Sequence, residues 1–206
     1  MPKGWVFKAP QKTERVILGV GLNDLPYSTE TRIGGVYRVC PVYKTWKHML
    51  ERSTGRQKLL ATRPTYRDVV ISQDWLRLSN FSKWFLPALN KSKLDLSELH
   101  LDKDILSSTR IYSEQTSLLV PKWLNSYVTC KGKGWSFCSR EQRFFSQIEI
   151  DGRQKFLGYH KDKDAAIKAY IAAKTKHINS LTIPRYLPVR RVRSRIHQIL
   201  LGHLND

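Results

Sequence analysis

The chain has 206 residues and carries 36 Lys and Arg against 17 Asp and Glu, a formal charge of +19. That balance points to a polyanionic partner; with no long apolar run, signal peptide or lipidation motif, it argues against a membrane and for the cytoplasm or nucleoid of a host cell. Cys40, Cys130 and Cys138 make an odd count without paired ligand spacing, which excludes a disulfide framework or zinc site and leaves reduced thiols.

In chain order, residues 1–14 are polar and basic with two prolines and open an N-terminal arm that we draw over residues 1–30. Val42 to Glu51 reads as a helix with Tyr43, Trp46, Met49 and Leu50 on one face. A loop with Gly55 and Pro64 follows; its Arg52, Arg56, Lys58, Arg63 and Arg67 either touch a nucleic acid or are simply solvated. A second helix falls within Trp75 to Leu89, where Trp75, Leu78, Phe81, Trp84 and Phe85 keep helical spacing. These rings lie on the periodic apolar face, so they read as core rather than as base-stacking platforms. Leu94 to Asn125 then gives a strand, a polar loop, a second strand and the start of a helix. On the first of these strands His100 precedes Asp102 by two residues and so shares its face.

Lys131-Gly-Lys-Gly134 forms a short hinge before a new module over residues 131–182. A short strand near Trp135 precedes two longer ones joined by Asp151-Gly152, a pair suited to the positive φ of a two-residue hairpin turn. Ser146, Ile148 and Ile150 alternate with Phe145, Gln147 and Glu149, so one face packs while the other stays free. The following helix puts Ala166, Ala169, Tyr170, Ala173 and His177 on one side, small enough for close approach to a sheet. Residues 183–206 form a basic tail in which Val189 to Leu201 reads as a short helix with Val192, Ile196, Ile199 and Leu200 as its apolar stripe. Arg190, Arg191, Arg193 and Arg195 crowd its start, against the helix dipole, which suits a phosphate partner or else a solvated charge run. The predicted fold class is α+β: two strands and a helix start, then a three-stranded antiparallel sheet on one helix, then a basic C-terminal helix. The net charge divides as +9 over residues 1–130, +6 over 131–182 and +4 over 183–206, as suits a protein lying along a polyanion.

Gly134-Trp135, the strand Arg143 to Ile148, Phe156-Leu157-Gly158 and Asp164-Ala165-Ala166 through Ala169-Tyr170 resemble the Apetala-type (ethylene-response-factor) DNA-binding domain. The resemblance implies a sheet that lies in the major groove. Phe156 stands where that family has Trp, and Gln147 and Glu149 stand where it has Glu and Arg. Its first-strand arginines fall near Ser136, Cys138 and Arg140. Candidate DNA-binding residues are Ser136, Arg140, Arg143, Gln147, Glu149, Arg153, Gln154 and Phe156, joined by Arg190, Arg191, Arg193 and Arg195. Glu149 would repel a phosphate or accept from a cytosine amino group.

Leu101 to Leu106, Tyr112-Ser113, Val120-Pro121 and Asn125 resemble the ββα-metal finger of HNH nucleases, in the version of phage-type homing endonucleases that an Apetala-type domain follows. The resemblance covers roughly residues 34–130 and gives a finger domain over 31–130. Such a finger uses a neutral His as base and a divalent metal, Mg or Mn, to stabilise phosphate charge. It implies Asp102 and Asn125 as metal ligands, with His100, Asp102 and Asp104 as the catalytic candidates. Lys103 takes the place of the base and, between two carboxylates, stays protonated. Thr116 replaces the central Asn. The finger is therefore degenerate, and the reading is a protein that grips double-stranded DNA with weak or absent nuclease activity. A metal-dependent HNH-type endonuclease is the alternative, and an RNA-binding accessory protein a third, because charge alone does not tell DNA from RNA.

Overall fold

The computed structural model describes residues 14–54, 68–129, 134–150 and 152–202. Residues 1–13, the loop cations Arg56, Lys58, Arg63 and Arg67, Cys130, Lys131 to Lys133 of the hinge and Asp151 lie outside them. Two compact units divide the chain, Met1–Lys122 and Trp123–Asp206, so the division falls eight residues before the expected one. Among the described residues there are five α-helices and several small sheets, an α+β arrangement.

Residues 14–30, expected within the arm, are instead part of the first unit. Strands β1 (Arg15–Ile17) and β2 (Gly21–Asn23) pair antiparallel. Helix α1 (Pro41–Ser53) follows a second hairpin, β3 (Glu30–Ile33) with β4 (Val36–Val39). It starts at a proline, whose fixed φ and missing N–H suit a first turn. Val42, Tyr43, Trp46, Met49 and Leu50 are buried along its face. A Cβ at Gly21 would stand 2.4 Å from Leu50 Cδ1 and 2.7 Å from Trp46 Cζ2, so only glycine lets β2 lie this close to α1. Exposed Val16 on β1 shows why an arm is the simpler reading of the sequence: the hairpin's few apolar residues do not announce a packed element.

Trp75 belongs not to the second helix but to a short 3-10 turn, Gln73–Leu76; helix α2 runs from Leu78 to Ser92. Asp24 fixes that start, accepting from the Ser79 backbone N–H at 2.9 Å and from its hydroxyl at 2.7 Å. This is an N-terminal cap supplied from a distant hairpin. Trp75 still joins the core, with its ring centroid 5.1 Å from Phe81 and 4.7 Å from Trp84. Strand β5 (Val70–Ile71) pairs parallel with β7 (Ile111–Tyr112), and β6 (Leu99–Asp102) pairs antiparallel with β8 (Leu118–Pro121). Chain order after α2 is thus three strands, β6, β7 and β8, one more than the sequence suggested, and then α3 (Lys122–Thr129).

In the second unit β9 (Trp135–Cys138), β10 (Arg143–Ile150) and β11 (Arg153–His160) form a three-stranded antiparallel sheet in the order β11-β10-β9. It packs on helix α4 (Lys163–Ser180), whose Asp162 cap accepts from the Ala165 N–H at 2.8 Å. Ala166, Tyr170, Lys174 and Ile178 are the buried residues of α4, and Ser146 and Ile148 the buried residues of β10. The Lys174 ammonium lies over the Tyr127 and Tyr170 rings at 4.7 and 5.6 Å, a cation–π arrangement that suits a buried lysine. Gly134 has a φ of +66°, and a Cβ there would stand 2.1 Å from Tyr170 Cδ2, so the entry to the sheet admits no side chain. Helix α5 (Val189–Gly202) buries Val192 and Ile196 of its expected stripe; the side chains of Ile199 and Leu200 lie outside the description.

Candidate nucleic-acid interface

Pairing across the sheet decides which residues share a face, because directly opposed residues point the same way. Phe144 opposes Phe137 and His160, and Ser146 opposes Trp135 and Gly158. These lie on the side of the buried Ser146 and Ile148, where Ser146 Oγ and His160 Nε2 meet at 2.8 Å. The other side carries Ser136 and Phe145 in register with Tyr159, Arg143 in register with Cys138, Gln147 with Phe156, and Glu149 with Gln154. Ser136, Arg143, Gln147, Glu149, Gln154 and Phe156 are therefore brought to one face, the face away from α4. Arg140 sits in the β9–β10 turn, where it pairs with Glu141 at 3.0 Å. Arg153 opposes Ile150 and so lies on the helix side of the sheet, at its exposed end.

The centre of this open face is aromatic. Phe145, Phe156 and Tyr159 cluster with centroids 5.2 to 6.5 Å apart, and Phe156 and Tyr159 are 55% and 45% exposed. Phe145 and Tyr159 are not among the residues expected from the sequence. Alternation with Gln147 places Phe145, but Tyr159 depends on a bulge: the register shifts between Ser146 and Gln147, leaving Leu157 as the extra residue. Counted back from the Asp-Gly turn without that bulge, Tyr159 would oppose Phe144 and face the helix.

On α5 the four arginines divide. Arg190 and Arg191 are exposed, whereas Arg193 donates to the carbonyls of Asn179 at 3.1 Å and Leu181 at 2.9 Å, closing the end of α4. Arg195 donates to Gln198 Oε1 at 3.3 Å.

The residues expected of the finger are placed as follows. Asp102 is buried, and its Oδ1 accepts from the backbone N–H of Asp104 at 2.9 Å and of Ile105 at 2.8 Å. Lys103, whose side chain is 5% exposed, donates to both Asp104 oxygens at 2.7 and 2.8 Å. Thr116 Oγ1 accepts from the Ser113 N–H and ties the turn before β8. His100 is exposed on β6, and Asn125 is half-buried on α3 in the second unit. Among the described residues no group of three or more His, Cys, Asp or Glu is placed to hold a metal.

Burial raises the Asp102 carboxyl above its ordinary value, with the Asp104 charge adding to it and the two N–H donors opposing. Stability from this group is therefore whole below the ordinary carboxylate range, about pH 4, and is lost as pH rises through the raised folded value. Asp102→Ala leaves the two N–H groups without their acceptor and should cost about 1–3 kcal/mol in denaturant unfolding. Asp102→Asn keeps an acceptor, removes the buried charge and should cost less than the alanine, with a flatter dependence on pH. Equal losses for the two variants would show that the turn bonds are not what Asp102 supplies.

Among the described residues no helix is long and apolar enough to cross a membrane. No family model, no curated protein and no solved structure matches the chain.

Proposed function

We propose that this chain binds double-stranded DNA by laying the open face of β9–β11 in the major groove, with lysines and arginines around it on the phosphates. The observation that carries this is a sheet backed by α4 on one face with Phe156 and Tyr159 exposed on the other, in a chain of charge +19. A major groove about 12 Å wide admits a narrow β-ribbon, and the face offers the groove several kinds of contact. Arg143 can donate to guanine, Gln147 and Gln154 can pair with adenine, and Glu149 can accept from cytosine. Arg140 at the turn is placed for a phosphate or a base edge. The antiparallel pair of β6 and β8 fits the hairpin of an HNH-type finger kept as a scaffold, and the Apetala-type reading of the second unit supports groove binding. Cleavage is not part of the proposal, because Lys103, which stands at the place of the base, is paired with Asp104.

Replacing Arg140 and Gln147 together by alanine should weaken binding to a selected duplex by about 1–3 kcal/mol for each base edge left unread. Binding to unrelated duplex should change far less. If specific affinity is unchanged while Arg190→Ala with Arg191→Ala abolishes it, the groove reading is wrong. Competition with duplex RNA of matched length is the second arm; RNA that displaces DNA would assign the chain to RNA.

A further inference from the structure

A cavity of about 550 Å³ opens in the first unit. Lys44, His48 and Arg52 line it from α1 at intervals of four residues, which is one stripe of that helix. His100 of β6 and Lys122 line it from two other elements. None of its described lining residues is acidic. Three permanent cations and two imidazoles thus converge from three directions, over an apolar floor that includes Leu99 and Leu101. Arg52 is held there by a bond from Nη1 to Tyr112 Oη at 2.9 Å, so its planar fork is positioned in advance.

The groups facing the imidazoles make the field positive. Burial lowers the His100 value first, and the Lys122 and Arg52 charges lower it further. His48 is lowered by burial; Glu51 opposes, while Arg52, Lys44 and Lys47 add to the lowering. Bunching like charges opposes folding unless an anion relieves it, and a cation is repelled from such a place. A tetrahedral anion offers acceptors in several directions at once, whereas a single carboxylate offers two in one plane.

We infer that the cavity between α1, β6 and Lys122 binds a phosphate group, either a phosphodiester of a DNA backbone or a free phosphate. This site shares no residue with the sheet face, so it stands whether or not that face enters a groove. Bound phosphate favours the protonated form of His48, whose free value lies below the ordinary one of about 6.5, so affinity for a phosphodiester gains as the pH falls toward and below that value.

The test follows the imidazole resonances of His48 and His100 in the full chain while inorganic phosphate is added, with chloride at equal ionic strength as control. Saturable shifts with phosphate alone are expected, and they should be lost in Lys44→Glu with Lys122→Glu, both exposed positions, with no fall in the thermal melt. The second arm measures the salt dependence of binding to random-sequence duplex DNA. With Lys44→Ala and Lys122→Ala, a slope shallower by about one in the double-logarithmic plot assigns the cavity to a backbone phosphate. Phosphate-specific shifts with an unchanged slope assign it to a free phosphate. Shifts that chloride reproduces, together with an unchanged slope, overturn the inference. Loss of sequence-specific binding in the Arg140 and Gln147 variants bears on the sheet alone, so the two proposals fail separately.

Discussion

Raising salt from about 50 to 200 mM is expected to weaken binding to duplex DNA by about 10³–10⁵-fold, if roughly six to ten phosphates are neutralised. The reason is the release of counterions from DNA, which salt opposes in proportion to the number of phosphates covered. The chain has the charge for this: exposed Arg143, Lys155, Arg190 and Arg191 add to Arg140 at the sheet turn. Arg193 does not add to them, since its guanidinium is committed to the end of α4. Fluorescence anisotropy with a labelled duplex over a salt series gives the slope, about −0.9 per neutralised phosphate. A nearly flat dependence would mean that the positive charge faces something other than DNA and would sink the proposed function.

Trp46→Ala should destabilise the first unit by about 3–5 kcal/mol, the usual loss for truncating a large buried ring. The indole is fully buried at the centre of the first unit's core, and Gly21 is glycine because that ring occupies the space beside it. Its Nε1 also donates to the Trp75 carbonyl at 2.7 Å, which joins α1 to the turn before α2. Alanine therefore opens a cavity and removes a buried donor together. Urea unfolding of the variant and the parent measures the difference. A loss below about 1 kcal/mol would show that the ring is not the centre of this core.

Where the sequence pattern is local, it is legible. Helix α1 follows from Tyr43, Trp46, Met49 and Leu50, because three- and four-residue spacing of large apolar groups needs no distant partner to interpret. The alternation of Ser146 and Ile148 with Phe145 and Gln147 likewise sets the two faces of β10. What escapes depends on remote contacts or on one irregular residue. Trp75 continues the spacing of Leu78 and Phe81, yet Asp24, more than fifty residues earlier, caps Ser79 and starts α2 after it. Leu157 shifts the register of β11, so Tyr159 joins the open face that simple counting denies it. Arg193 reads as a free cation until the end of α4 is placed beside it. The sequence also does not show that Asp102 Oδ1 ties its own turn, accepting from the N–H groups of Asp104 and Ile105.

The aromatic centre of the open face also governs how copies of the protein behave toward one another. Phe156 and Tyr159 expose a sticky patch, while the charge of +19 keeps the molecules apart in dilute buffer. Salt shortens the reach of that repulsion to about 8 Å at 0.15 M and leaves the attraction between rings intact. Added salt should therefore bring the sheets of unbound copies together. Light scattering on the unbound protein would rise with salt, and would stay flat in Phe156→Ser with Tyr159→Ser. On the proposed function, a DNA duplex lying on the sheet would cover the same patch and act as the protein's dispersant.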